Sequence, residues 1–233
     1  MPRPQTQPNL QATPGALRRA FAGGIAAQLL TIGIARFAYT PLLPAMQAEA
    51  GLSPRAAGLL GALIYAGYLA AVLLLSGLRR PGHRLAVYRA CLVLAVASTA
   101  AMAMTDRLWI WGLARFLGGA AGAGGMLLAA EFILGWLRAR GARPELGPHF
   151  TGLGLGICLS GLAVLALDPL AGWRGQWAGF AVIALLLVPA AWHLVPRPAS
   201  AAGPPRAAGP SPAAAEGGAG RRWFALFGAG YLL

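Results

Sequence analysis

The sequence predicts an all-α, polytopic membrane protein: a bundle of six transmembrane helices, followed by the start of a seventh. Hydrophobic residues make up 58% of the 233-residue chain and charged residues only 11%, and the mean hydropathy is +0.62. This composition excludes an ordinary soluble domain. Six apolar runs approach or exceed the ~20 residues that a helix needs to cross a bilayer. They lie at residues 20–45, 54–78, 85–105, 108–137, 150–168 and 174–195.

Each predicted helix has its own justification. The first run follows Arg18 and Arg19 and stays apolar to Pro44, too long for the hydrophobic region of a secretory signal, so a retained helix is expected. The second, third and sixth runs have the length of an ordinary crossing. The fourth is the longest and is rich in glycine, whereas the fifth is marginal at its polar edge.

The segments around these helices complete the predicted organisation. Residues 1–17 are expected to form a cytoplasmic tail, and residues 18–195 the bundle. Residues 196–222 are rich in Pro, Ala and Gly without hydrophobic periodicity, which predicts a flexible cytoplasmic linker. Residues 223–233 are interpreted as the truncated start of a seventh helix, because eleven residues reach only ~16 Å as a helix. The alternative is a complete six-helix protein with a short apolar tail.

Arginine is distributed unevenly between the two sides of the predicted bundle. Arginine-rich loops resist translocation, so the N-terminus and residues 196–222 are expected in the cytoplasm. The use of Arg without Lys, together with abundant Ala, Gly and Pro, is typical of a GC-rich bacterial genome and indicates nothing more than that. The expected location of this multi-pass chain is the bacterial inner (plasma) membrane. One side carries fourteen arginines, and the other carries three, Arg55, Arg107 and Arg174.

Two arginines, Arg36 and Arg115, are predicted to lie inside helices, where an ionisable side chain costs at least ~2.5–3.5 kcal/mol. They occur in similar pentapeptides, Gly33-Ile-Ala-Arg36-Phe37 and Gly112-Leu-Ala-Arg115-Phe116. Helices 1 and 4 are counterparts in transporters built from inverted repeats, although chance similarity also explains the match. Both arginines are interpreted as cavity cations that attract an anionic substrate or bias a proton site. Alternatively, each binds backbone carbonyls or extends towards the interface.

Three tyrosines could offer hydroxyl groups to the same substrate or coupling-ion pathway. They are Tyr39, Tyr65 and Tyr68, and the alternative for each is a packed or interfacial ring. Three glycines of the fourth run, Gly118, Gly119 and Gly122, predict close helix packing.

Glu131 lies near the cytoplasmic end of the fourth run. Pairing with Arg79, Arg80 or Arg84 as a conformational latch is the favoured interpretation, and proton transfer is the alternative. The three histidines, His83, His149 and His193, lie at predicted cytoplasmic edges, which indicates interfacial solvation.

Several classes of function find no support in the sequence. Nucleic-acid binding would place its basic residues on a solvated face, whereas these arginines punctuate apolar runs. An intramembrane enzyme would need a cluster of His, Asp or Glu, and Glu131 is the one carboxylate in a predicted helix interior. No metal-ligand spacing, Walker loop or dinucleotide fingerprint occurs, so no catalytic residue, metal or cofactor is expected.

The end of the first run resembles the YbfB/YjiJ-like transporters of the bacterial major facilitator superfamily. The resemblance rests on Gly33-Ile-Ala-Arg-Phe-Ala-Tyr-Thr-Pro-Leu-Leu-Pro-Ala-Met-Gln47 and on Tyr65-Ala-Gly-Tyr68-Leu, and it covers about residues 16–233. It implies two six-helix bundles around a central cavity and secondary transport of a small solute. This chain would be the N-terminal half, and its partners would be the lipid bilayer, a small-molecule substrate, a coupling proton and the missing C-terminal half.

Two further segments of this chain resemble general sequence motifs of the superfamily. Arg115-Phe-Leu-Gly-Gly119 resembles the helix 4 motif, whose arginine is linked to proton coupling. Arg79-Arg-Pro-Gly-His-Arg84 resembles the cytoplasmic loop motif, which implies a gate at Arg80, Gly82, Arg84 and Glu131. The loop departs from the pattern at Arg79, where an acidic residue is expected, which leaves Glu131 or Glu145 as the carboxylate.

The predicted function is ion-gradient-driven transport of an unidentified small solute by alternating access, without enzymatic activity. The alternatives are a non-transporting truncated fragment and a six-helix intramembrane enzyme.

Overall fold

The computed structural model describes residues 12–78, 80–168 and 170–197. Within these ranges the chain forms six long helices and no strand, and each helix is long and apolar enough to cross a membrane. The predicted fold class, an all-α polytopic membrane protein, is confirmed. The helices are α1 Pro14–Glu49, α2 Pro54–Ser76, α3 Pro81–Met104, α4 Leu108–Ala139, α5 Gly147–Leu167 and α6 Trp173–Leu194.

The first two helices begin at capping residues. Thr13 Oγ1 accepts a hydrogen bond from the Ala16 amide at 3.3 Å, and Pro14 follows in the first turn, so α1 starts earlier than its apolar run. Ser53 Oγ caps α2 in the same way, with the Ala56 amide at 3.3 Å. Gly51, in the turn between the two helices, has a φ of 65°, which favours glycine.

Helix α1 changes register along its length. Residues Pro14–Gln28 are α-helical, Leu29–Phe37 form a π-helical segment, and Tyr39–Glu49 return to the α register. The α register returns at Ala38, whose N–H donates to the Ile34 carbonyl at 3.2 Å.

Helix α4 packs against α2, α3 and the π segment of α1. Its crossing with α2 is a contact between backbones. A Cβ at Gly119 would overlap the main-chain carbonyl oxygen of Ile64, and one at Gly67 would overlap that of Phe116. Only glycine fits at these two positions without moving a helix.

The other predicted packing glycines of α4 face the π segment. A Cβ at Gly118 would lie 3.1 Å from the Ala35 carbonyl oxygen, and one at Gly122 would lie 3.3 Å from that of Thr31. Helix α5 also approaches this segment closely, because a Cβ at Gly33 would lie 2.6 Å from the Gly156 Cα. The π segment is therefore enclosed by glycine contacts from two helices.

Side-chain contacts link neighbouring helices at each end of the bundle. At one end, Glu49 Oε2 accepts a hydrogen bond from the Trp173 amide at 3.1 Å, so the last residue of α1 caps α6. Arg174 forms an ion pair with Asp106 at the same end. At the other end, Arg84 of α3 pairs with Glu131 of α4.

Parts of the predicted organisation lie outside the described residues. These parts are most of the tail at 1–17, most of the linker at 196–222 and all of 223–233.

Candidate functional site

Arg36 lies at the end of the π segment, against aromatic rings from two helices. Its Cζ is 4.8 Å from the ring centroid of Tyr68, 5.0 Å from that of Tyr65 and 5.1 Å from that of Phe37. Tyr65 and Tyr68 are three residues apart on α2 and so lie on the same helix face. A guanidinium within about 6 Å of a ring face is attracted by the ring quadrupole. The structure thus brings together three of the predicted pathway residues.

The charge of Arg36 is not neutralised within the described part of the chain. No carboxylate pairs with Arg36 there, and its Nε is buried without a hydrogen-bond partner. Tyr65, which covers one side of the guanidinium, is 59% exposed at the bundle surface. Arg36 lies thirteen residues before the end of α1, or about 20 Å along the helix. An unpaired cation at this depth requires an aqueous cavity or a further partner.

Arg115 of α4 is only 3% exposed and is directed at the backbone of α1. Its Nη1 donates to the Ala35 carbonyl at 3.2 Å, and its Nη2 donates to the Arg36 carbonyl at 2.9 Å. The guanidinium therefore cross-links the two similar pentapeptides of the sequence. This contact with backbone carbonyls is the alternative that the sequence left open for Arg115.

Tyr39 of α1 also contacts Arg115. The Arg115 Cζ lies 4.4 Å from the Tyr39 ring centroid, and the Tyr39 hydroxyl donates to the Ala57 carbonyl at 3.0 Å. Tyr39 and Arg115 thus form a second cluster, which is joined to residue 36 through its main-chain carbonyl. The predicted pathway residues divide into a buried pair, Tyr39 and Arg115, and a less buried group in which Tyr65 is exposed and Arg36 and Tyr68 are half-buried.

Ser160 is a residue of this site that the sequence did not single out. Its hydroxyl donates to the Gly33 carbonyl at 2.9 Å, so α5 also holds the π segment. Carbonyls at 33, 35 and 36 consequently accept hydrogen bonds from side chains of other helices. The sequence feature that could have identified Ser160 is a polar residue within the apolar run of α5.

A second buried polar contact joins α1 to α5. Gln28 Nε2 lies 3.1 Å from His149 Nε2, and both side chains are fully buried. The prediction that His149 is solvated at the interface is wrong, because α5 begins at Gly147 and turns the imidazole into the bundle.

The predicted gate residues come together in part. Arg84 Nη1 lies 2.9 Å from Glu131 Oε1, and both side chains are half-exposed. Arg80 is exposed and precedes α3, and Gly82 is exposed in its first turn. Arg79 lies outside the described residues, and Glu145 is in an exposed loop without an ion pair in the described ranges.

The site offers a cation and hydroxyl groups. Among the described residues, no group of three His, Cys, Asp or Glu side chains could hold a metal ion. A guanidinium flanked by two tyrosines has the donors to bind a carboxylate or phosphate group.

A family model described as "Uncharacterised MFS-type transporter YbfB" matches residues 28–233. A comparison with curated proteins found no match.

Proposed function

This chain belongs to the YbfB family of MFS-type transporters, and we propose that it moves a small solute across the membrane by alternating access, driven by an ion gradient. The family and the six membrane-spanning helices support transport in general and make the chain a multi-pass membrane protein. What we propose beyond this is the chemical class of the solute, the residues of its pathway and the ion that drives its transport.

The observation that carries the proposed pathway is the unneutralised guanidinium of Arg36. A cation at this depth is costly unless it meets an anion or water, and its planar donors fit a carboxylate or a phosphate in two-point contact. The hydroxyls of Tyr65 and Tyr68 are further donors beside it. We assign these three residues to the solute or coupling-ion pathway, with an anionic group as the species bound.

Arg115 and Tyr39 belong to the same pathway in a positioning role. Arg115 donates to the carbonyl of Arg36 itself, so it fixes the backbone from which the Arg36 side chain projects. Tyr39 holds the guanidinium of Arg115 in place. A shift of the π segment would therefore change the contacts of both arginines.

The cytoplasmic gate is proposed to comprise Arg80, Gly82, Arg84 and Glu131. The Arg84–Glu131 pair joins the start of α3 to α4 and would break when this end opens. A proton is the proposed coupling ion, and a second six-helix bundle is the proposed partner across the cavity, as in transporters built from two halves.

The proposed location is the bacterial inner membrane, with the N-terminus in the cytoplasm. The arginine-rich end of the bundle supports this orientation.

The test is transport by the complete gene product, reconstituted in vesicles with an imposed proton gradient and a panel of small carboxylates, phosphate esters and neutral solutes. Arg36→Ala is expected to abolish gradient-dependent transport of an anionic solute while membrane insertion persists. Arg55→Ala, the same change at the exposed start of α2, is the control and should transport normally. Normal transport by Arg36→Ala would rule out the assigned pathway.

A further inference from the structure

A polar cavity of about 310 Å³ lies at the arginine-rich end of the bundle, among the ends of α1, α3, α4 and α6. Its size is at the lower end of the range for ligand pockets, about 300–1,000 Å³. The residues that matter for its chemistry are Arg19 of α1, Trp136 of α4, Trp192 of α6 and Arg197, just after α6. Arg19 lies seventeen residues before Arg36, or about 25 Å along α1, so this cavity is separate from the site around Arg36.

Two further guanidinium groups flank this cavity by stacking on its tryptophans. The Arg140 Cζ lies 4.4 Å from the Trp136 ring, and the Arg89 Cζ lies 4.7 Å from the Trp192 ring. Arg19 and Arg197 thus line the cavity itself, and Arg89 and Arg140 contact its two tryptophans. Arg19 and Arg197 are exposed, so their donors are accessible to a ligand.

The positive charge of this cluster is uncompensated among the described residues. The ion pairs found there are Arg84–Glu131 and Arg174–Asp106, and neither involves the four arginines of the cavity. Among the residues that the structure describes, no carboxylate lines the cavity. Four cations without a counter-ion favour an anion with several acceptor oxygens, which is the chemistry of a phosphate.

The surroundings indicate where such a phosphate comes from. Tryptophan is the side chain typical of the membrane–water boundary, where the ring is apolar and its N–H is wet. Leu85 and Leu194 add apolar surface beside the arginines. Basic pockets between transmembrane helices near this boundary suit acidic lipid headgroups.

We propose that this cavity binds the phosphate of an anionic phospholipid headgroup. The guanidinium groups of Arg19 and Arg197 donate to the phosphate oxygens, while the stacked arginines hold the two tryptophan walls and add positive charge. A bound lipid would link the start of α1 to the end of α6.

The experiment is native mass spectrometry of the full chain, purified in detergent and titrated with dioleoylphosphatidylglycerol, dioleoylphosphatidylcholine or inorganic phosphate. One phosphatidylglycerol molecule is expected to be retained at concentrations where phosphatidylcholine is not. Arg19→Gln/Arg197→Gln should raise the half-saturating concentration of phosphatidylglycerol on the order of tenfold, since two charged hydrogen-bond donors are lost.

The matched control is Arg138→Gln/Arg143→Gln, which removes the same charge from exposed positions at the same end but outside the cavity lining. It should retain the lipid as the parent chain does. Thermal unfolding in phosphatidylcholine verifies that both double variants are folded. Equal losses in the two double variants, or equal retention of the two lipids, would overturn the site. Retention of inorganic phosphate without lipid would overturn the lipid as its occupant.

Discussion

Arg115 of α4 donates a hydrogen bond from Nη2 to the main-chain carbonyl of Arg36, 2.9 Å away on α1. Arg36 and Arg115, the two arginines within the helices, are therefore linked through one backbone group. One guanidinium is buried against carbonyls, and the other lies among tyrosines at the bundle surface. The arginines of the two similar pentapeptides thus lie in two different environments.

Replacing Arg115 by Met is expected to destabilise the bundle. The change keeps an apolar stem of similar length but leaves the Ala35 and Arg36 carbonyls without these donors. Interhelical hydrogen bonds in membranes contribute about 0.6–2 kcal/mol each, so a loss of about 1–3 kcal/mol should be measured by denaturant unfolding in detergent. Arg55→Met, at an exposed position, serves as the control. Equal stability of the two variants would contradict this account of Arg115.

The six helices were predictable because the length of an apolar run is a strong signal in a membrane protein. The ends of the helices were less predictable, because α1 begins after its capping residue Thr13 and not where its apolar run begins. Arg36, Tyr65 and Tyr68 could be selected because polar side chains are conspicuous in apolar helices.

The direction of each side chain could not be predicted. The π register of Leu29–Phe37 leaves no mark in hydrophobicity, yet it changes the face on which Arg36 lies. Whether Arg115 faces a cavity or binds the carbonyls of α1 depends on how closely α4 packs against α1. That distance depends on Gly118, where an added Cβ would lie 3.1 Å from the Ala35 carbonyl oxygen, and helix packing of this kind is a tertiary property.

Replacing Gly119 by Ala is expected to disrupt the α2–α4 crossing. The added methyl group would overlap the Ile64 carbonyl oxygen, which belongs to a rigid helix backbone. Overpacking of this kind costs about 1–3 kcal/mol or more. Gly135→Ala is a control on the same helix, because a Cβ there meets no atom within 4 Å. Thermal unfolding should show a lower midpoint for Gly119→Ala and an unchanged or higher one for Gly135→Ala. The reverse order would refute the close crossing.

Replacing Glu49 by Ala is expected to loosen the start of α6. The Glu49 carboxylate accepts the Trp173 amide, and a cap of this kind contributes about 1 kcal/mol. Hydrogen exchange in a peptide covering residues 172–178 should then be roughly fivefold faster, as expected for about 1 kcal/mol of local stability. Glu145→Ala, in an exposed loop, should leave this peptide unchanged. Slow exchange in both variants would show that Glu49 does not hold the helix.

Breaking the Arg84–Glu131 pair is expected to change the conformation of the bundle more than its stability. Both side chains are partly exposed, and such pairs contribute only about 0–1 kcal/mol. Cys91 reports on the α3–α4 contact, because it is 7% exposed and a Cβ at Gly124 would overlap its sulfur.

In a Cys158→Ser background, Glu131→Arg should therefore accelerate the reaction of Cys91 with a membrane-permeant maleimide, since two cations would then face each other at the start of α3. The exchanged pair Arg84→Glu/Glu131→Arg restores opposite charges and should slow the reaction again. This rescue separates a latch from a general loss of folding, because a misfolded single variant gains nothing from a second charge change. If Cys91 reacts at the same rate in all three proteins, the pair does not hold α3 against α4, and the gate must be sought among other residues.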